Sequence, residues 1–228
     1  MTTRSGRRSF LVASAAALAG ACVAPLAGPP PSAGRRGRLT LAWPTDTGLP
    51  SPFAFSTIGP GGVVKLTLLF DTLTWKDAEG LVPWLAERWT TADGGASYVF
   101  TLRTGVTFHD GTPLTASDVA FSFDYFRRFP FRWTPETFVE SAEVLDERTV
   151  RLRLAQPYAP FLELVAGSIP ILPRHVWETV TDPLRFQEPR ATIGSGPFEL
   201  VSYAEGRGEY LFRARATHFG GAPRLDEL

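Results

Sequence analysis

Phe108-His109-Asp110-Gly111-Thr112-Pro113-Leu114-Thr115-Ala116-Ser117-Asp118-Val119 places a turn, a helix start and the first residue of an apolar stripe side by side. Asp110-Gly111 is a turn signal, because an Asp side chain bonds nearby backbone and Gly accepts left-handed dihedrals. Thr115 and Asp118 stand at the spacing of a capping-box variant, and a carboxylate there also favours the positive end of a helix. The spacing predicts a helix over residues 116–126. Within it Val119, Phe123 and Phe126 fall at i, i+4 and i+7, one stripe that faces a sheet or another helix.

The flanking segments supply the sheet. Upstream, Ala92-Asp93-Gly94-Gly95 is a hairpin signal ahead of Ser97-Tyr98-Val99-Phe100-Thr101-Leu102, where large apolar residues alternate with smaller or polar ones. Downstream, Thr149-Val150-Arg151-Leu152-Arg153-Leu154 alternates strictly, with its arginines outward, and Asp146-Glu147 turns it back on a strand over 142–145. Outside this centre, 39–43 reads as a strand ended by Pro44. A glycine loop at Gly59-Pro60-Gly61-Gly62 leads into a buried helix crowded with Val63, Val64, Leu66, Leu69 and Phe70, then a strand at 73–75. Trp84, Leu85 and Trp89 predict a short amphipathic helical turn. Helices follow near 160–166 and 174–180 around a Pro-bounded segment, 169–173, and Gly194-Ser195-Gly196-Pro197 opens strands at 198–203 and 210–215. Helices and antiparallel strands without regular alternation predict α+β architecture with mixed sheets, not a doubly wound sheet.

Composition sets the outer limits. The 228 residues are 44% hydrophobic, too apolar for a disordered chain, yet no apolar run reaches the roughly 18–20 residues of a membrane span. A soluble globular protein is expected. Lys plus Arg (23) equal Asp plus Glu (23), so there is no net field to gather nucleic acid. One cysteine and three scattered histidines, His109, His175 and His218, offer neither an intrachain disulfide nor metal-ligand spacing. No metal and no cofactor is expected.

The N-terminus reads as an address. Arg4, Arg7 and Arg8 precede an apolar, Ala-rich stretch over 10–21, the shape of an export signal. Arg7-Arg8-Ser9-Phe10-Leu11 resembles the twin-arginine export signal. Leu18-Ala19-Gly20-Ala21-Cys22 resembles a bacterial lipobox, which makes Cys22 a lipidation candidate; the bland alternative is an ordinary cleavage site. Residues 1–22 are therefore assigned to the signal. Residues 23–38, rich in Pro, Gly and Arg, cannot repay the cost of ordering and read as a tether.

Catalytic signals fail one by one. His109 and Asp110 are adjacent, so in extended chain they point apart. Gly194-Ser195-Gly196 lacks the outer glycines of a nucleophile elbow, since Ile193 and Pro197 stand there. No phosphate-cradling loop is present, and lysine occurs only at Lys65 and Lys76. No catalytic residue is assigned, and a non-enzyme is expected. Aromatic residues do cluster beside loop signals: Phe53 and Phe55 before the glycine loop, and Phe129, Phe131 and Trp133 around Pro130. Such rings can line a recognition surface or pack beneath a long loop.

The stretch at 108–119 resembles the signature of the extracellular solute-binding proteins of family 5, the oligopeptide, dipeptide and nickel receptors of ABC importers. Leu81-Val82-Pro83-Trp84-Leu85-Ala86-Glu87-Arg88-Trp89, Tyr98-Val99-Phe100-Thr101-Leu102-Arg103, Gly194-Ser195-Gly196-Pro197-Phe198 and the closing Phe219-Gly220-Gly221-Ala222-Pro223-Arg224-Leu225-Asp226-Glu227-Leu228 resemble family segments in the same order. The resemblance implies a periplasmic-binding-protein type II-like first lobe, with residues 39–62 plus 191–228 as its core and 63–190 as an inserted subdomain. It also implies an absent second lobe, and so a truncated or split receptor with weakened ligand trapping. Implied partners are a peptide or related small organic solute, an ABC permease with its ATPase subunits, and the membrane through a lipid on Cys22, at the periplasm or the outer face of the cytoplasmic membrane. A nickel-chelate receptor, or a non-transport module acting as sensor or periplasmic chaperone, stands as the alternative. Since a lobe-and-hinge receptor presents loops to its cleft, Phe53, Phe55, Trp133, Ile169 and Pro170 are the expected ligand contacts.

Overall fold

A helix over Pro60–Leu69 (α1) carries apolar residues around nearly its whole circumference, with Lys65 its one charge, and such a helix needs cover on every side. The computed structural model describes residues 37–44, 46–53, 60–130 and 139–228, and residues 36–228 form one compact unit. Leu66 and Leu69 of α1 are buried. After it come two short antiparallel strands, Thr74–Asp77 (β1) and Gly80–Pro83 (β2). The export signal with Arg7, Arg8 and Cys22, the tether up to residue 36, and the expected contacts Phe55 and Trp133 lie outside the described residues. Gly37 and Arg38, the end of the expected tether, are already paired: Asp226 N–H donates to the Gly37 carbonyl at 3.1 Å, and Arg38 Nε donates to Glu227 at 2.8 Å.

The centre of the molecule is a four-stranded antiparallel sheet in the order β3-β4-β6-β5, built from Ala86–Ala92 (β3), Ser97–Leu102 (β4), Val139–Val144 (β5) and Thr149–Leu154 (β6). The Ala116–Arg128 helix (α2) packs across β5 and β6. Alternation decides the faces: Tyr98, Phe100 and Leu102 of β4 and Val150, Leu152 and Leu154 of β6 are buried. Outward, Arg151 meets Glu143 at 2.7 Å. Val119, Phe123 and Phe126 of α2 are buried as the stripe requires, and each such side chain contributes roughly 1.5–3 kcal/mol. The β3–β4 turn is left-handed at Asp93, Gly94 and Gly95, with φ of 53, 64 and 98°.

One expectation is overturned. The segment around Trp84, Leu85 and Trp89 is extended, not helical, because Leu85 and Ala86 N–H donate to the Thr72 and Leu73 carbonyls and Trp89 pairs with Phe100 across the sheet. Two long-range ladders outweigh a weak local helix signal. The helix expected near 160–166 is a single π-turn, Phe161–Val165, closed by Ala166 N–H on the Phe161 carbonyl at 2.9 Å. The helix at 174 stops at Trp177 (α3, Arg174–Trp177). Phe198–Ala204 (β7) and Glu209–Ala214 (β8) then form an antiparallel pair, and Leu39 joins the same edge through Glu227.

Candidate functional site

Two clefts lie on opposite sides of α1. The smaller, about 280 Å³, is walled by Val63, Leu66 and Thr67 of α1, by Phe70 just beyond it, by Trp75 and Lys76 of β1, and by Glu163, Gly167, Ser168 and Pro170. Its framework is stapled from below. Leu73 and Thr74 N–H both donate to the Ala166 carbonyl, at 3.0 and 3.3 Å, and the Thr74 hydroxyl donates to the Leu162 carbonyl at 2.5 Å. Gly167 is required in that staple, since a Cβ there would lie 2.6 Å from the Glu163 carbonyl oxygen. At the rim Lys76 Nζ meets Glu163 Oε1 at 2.5 Å, with the two side chains 56% and 44% exposed.

The larger cleft, about 780 Å³, lies between residues 38–44 with Asp46, the other face of α1 and the β7–β8 hairpin. Its charges are occupied internally. Buried Lys65 donates to the Thr47 hydroxyl at 2.7 Å and lies 3.6 Å from the centroid of the Tyr210 ring. Desolvation pulls its pKa below the ordinary lysine value against the pull of Asp46. Tyr203 donates to Asp46 at 2.8 Å, and Tyr210 donates to Asp46 with its hydroxyl oxygen also 2.8 Å from the Gly48 carbonyl. Burial raises the Asp46 pKa, but hydrogen bonds from Tyr210, Gly48 and Tyr203 outweigh it and leave the carboxyl below its usual value. This cluster ties residues 46–48 to β7 and β8, while Arg38, Arg207 and Glu209 stand exposed at the rim of the larger cleft.

The expected contacts separate in the fold. Pro170 is buried in the wall of the smaller cleft, whereas the neighbouring Ile169 side chain is fully buried beneath it. Phe53 is half-buried, 5.1 Å from the Phe126 ring and 5.4 Å from that of Trp177, away from the cleft walls. Trp75, Lys76 and Glu163 were not singled out from sequence; the rarity of lysine was the available signal. The fragments that looked like enzyme chemistry serve as fasteners. His109 and Asp110 have different partners: Asp110 Oδ2 meets His175 Nε2 at 2.7 Å, while His109 Nδ1 accepts from Gly194 N–H at 3.1 Å and its Nε2 lies 3.2 Å from the Gly196 carbonyl. Those contacts assign the neutral tautomer protonated on Nε2, and burial lowers the His109 pKa. The Ser195 hydroxyl, fully buried, donates to Asp71 at 2.8 Å, and Asp71 also accepts from Trp84 Nε1 at 2.8 Å.

The sequence profile of the bacterial extracellular solute-binding proteins, family 5 (middle region), matches residues 80–228. The chain belongs to this family. Among family 5 relatives, the probable D,D-dipeptide-binding periplasmic protein DdpA of Escherichia coli is 36% identical over 141 residues, covering 60% of this chain and 27% of the relative. The nickel-binding periplasmic protein of the same organism is 28% identical over 207 residues, 83% of this chain and 36% of the relative. Of solved structures, NikA from Brucella suis in complex with Fe(III)-EDTA superposes with a TM-score of 0.69 at 27% identity, over 83% of this chain and 38% of that one. The oligopeptide-binding protein AppA from Bacillus subtilis, in complex with a nonapeptide, gives 0.64 at 26%, over 85% and 38%. The chain thus spans roughly a third of the length of the family 5 proteins it matches, and its fold is their α+β fold of mixed helices and antiparallel sheets.

Proposed function

We propose that this chain belongs to the substrate-binding component of an ABC importer and takes up peptides or related small organic solutes at the cell envelope, through the cleft between α1, β1 and the π-turn. The cleft carries the reading. Its floor is largely apolar, so it accepts varied side chains by burial, and its charged groups, Lys76 and Glu163, sit at the rim, where they orient a ligand. The peptide-binding relatives support the solute class. Solute bound here is handed to a permease whose companion subunits hydrolyse ATP; nothing in the cleft is asked to do chemistry. Phe55 and Trp133, placed by sequence alone, are proposed as further contacts.

Titration of the ¹⁵N-labelled chain with short apolar peptides tests the site. Resonances of Val63, Leu66, Phe70 and the Trp75 indole should move together, and Trp75→Ala should weaken binding about tenfold, the effect of losing a ring that supplies much of the apolar wall. Shifts confined to the Tyr203–Tyr210 cleft would move the site to the other side of α1. Export and anchoring are part of the same proposal: Arg7 and Arg8 direct export and Cys22 carries a lipid. Mass spectrometry of the membrane fraction should find a diacylglycerol-modified Cys22, and an unmodified N-terminus in the periplasmic fraction would remove the anchor.

A further inference from the structure

The larger cleft is a gap in a sheet. Residues 226–228 lie between β8 and residues 37–39, antiparallel to the first and parallel to the second, through bridges from Glu227 to Arg213 and to Arg38. Phe212 and Leu228 exchange both backbone hydrogen bonds, at 2.9 and 3.0 Å, and Leu39 N–H donates to the Glu227 carbonyl at 3.1 Å. Past Leu228 the two outer runs continue without a strand between them. Tyr210 on one side and Leu41 and Trp43 on the other line the cleft, together with Leu228 and with Leu68 of α1. Strands that flank a middle one stand about 10 Å apart, twice the spacing of neighbours, so the gap is one strand wide. Its edges are unpaired. Among the described residues no backbone hydrogen bond engages residues 40–43. The alternation that points Leu39 N–H at Glu227 points those of Leu41 and Trp43 into the gap, and Tyr210, two residues before Phe212, presents its backbone groups from the other side. Leu41 and Trp43 are 50% and 41% exposed. Free edge groups beside exposed apolar side chains are a template for a further strand.

We infer that this gap binds an extended segment of a separate polypeptide, which enters beside Leu228 as a strand antiparallel to β8 and parallel to residues 37–43. Main-chain hydrogen bonds to Leu41, Trp43 and Tyr210 hold it, and side chains at alternate positions settle against α1. The walls set the chemistry of the partner. Every second residue is apolar and uncharged, because that face meets Leu68, while Lys65 beside it is already engaged by Thr47 and Tyr210. At the mouth Arg38 and Arg207 are paired with Glu227 and Glu209, so no net charge selects the segment. It contains no proline, which could not donate to either edge, and it needs about four residues, since residues 40–43 cover about 13 Å at the rise of a strand. The chain's own leader does not suit the gap: Pro25, Pro29, Pro30 and Pro31 break any ladder there, and residues 12–21 are mostly alanine without alternation. The inference is separate from the solute reading, which uses the cleft on the other side of α1, and either stands without the other.

The test uses the full chain, ¹⁵N-labelled, and a pentapeptide of alternating valine and threonine blocked at both ends, beside a copy N-methylated at both threonines, which keeps the side chains and removes two donors. The unmethylated peptide should slow hydrogen exchange at the Leu41, Trp43 and Tyr210 amides and should bind about tenfold more tightly than the methylated copy, as loss of main-chain hydrogen bonds implies. Leu41→Pro, which removes one edge donor, should bind it about tenfold more weakly; Leu41→Ala, which keeps that donor, should retain the protection at Trp43 and Tyr210. Both variants should keep the native thermal midpoint, because residues 40–43 make no backbone hydrogen bond in the fold. Equal affinity for the two peptides, equal losses in the two variants, or no change in exchange at the three amides would overturn the inference. So would amides at Leu41 and Trp43 already protected in the dilute free chain, which would place a segment of the chain itself in the gap, and protection that grows with chain concentration as the mass doubles, which would place a second copy there.

Discussion

Gly194 lies directly beneath the end of α1: a Cβ there would come within 1.9 Å of the Leu69 carbonyl oxygen, and one on Gly196 within 2.5 Å of that of Leu68. The same approach lets Gly196 N–H donate to the Leu69 carbonyl at 2.9 Å. The Gly-Ser-Gly fragment is therefore a backbone crossing, and the serine between the glycines turns inward to Asp71. Backbone cannot yield as the end of a side chain can. Gly194→Ala should cost about 3 kcal/mol or more, the upper part of the overpacking range. Gly37→Ala, where no atom lies within 4 Å, serves as the comparison; it should change stability by no more than about 0.5 kcal/mol. Urea unfolding of both proteins decides it, and a Gly194→Ala protein as stable as the Gly37→Ala one would mean that the crossing is looser than described.

At the scale of elements, Asp118 does more than start α2. Its Oδ2 accepts from the Thr115 N–H and hydroxyl at 2.9 and 3.0 Å, and its Oδ1 accepts from Arg174 N–H at 3.0 Å, which fixes the start of α3. Ser122, one turn on, accepts from Leu172 N–H at 2.8 Å. Thus α2 holds the whole Pro-bounded segment. Thr115→Ala should cost about 1 kcal/mol, the typical value for a cap, because its side chain accepts from the Asp118 N–H in a capping box. Asp118→Ala should cost more, about 2–3 kcal/mol, since it strands part-buried backbone donors on two elements. Equal losses in thermal unfolding would show that the link to α3 carries no weight. The elements readable in sequence were those with a local cause: the 115–118 cap, the Asp93-Gly94-Gly95 turn and the strict alternation at 149–154. The strand at 86–92 was not readable, because what makes it extended is β4 and the Thr72–Leu73 backbone.

Across the whole molecule, the same distinction governs the candidate site. Pro170 lines the smaller cleft while Ile169, in the same Pro-bounded loop, faces inward, and no sequence period separates the two. Lys76 and Glu163 meet only because β1 and the π-turn, far apart in sequence, are stapled together. A long-range contact of similar kind closes the fold at His109, which ties the 108–112 turn to residues 194–196, where Arg215 also donates to the Thr107 carbonyl at 2.7 Å. Burial holds the His109 pKa below its ordinary value of 6.5, with the Gly196 hydrogen bond opposing and Arg215 reinforcing the shift. Protonating Nδ1 would also turn an acceptor toward Gly194 into a donor facing a donor. The sign follows from linkage: above about pH 6.5 the ring is neutral in both states, and below it the unfolded chain takes up the proton first. Stability is therefore complete above that pH and is lost as pH falls from there toward the lower folded-state value. Asp110, whose pKa stays below 3.8 because hydrogen bonds from His175 and Thr112 outweigh desolvation, contributes in a separate acid window below that value. Urea midpoints of the native protein should fall between about pH 7 and about pH 5.5, whereas His109→Gln should begin lower and run flat across the same interval. A native midpoint that does not change over that range, or a His109→Gln protein with the native slope, would show that the histidine clip does not govern closure of the fold.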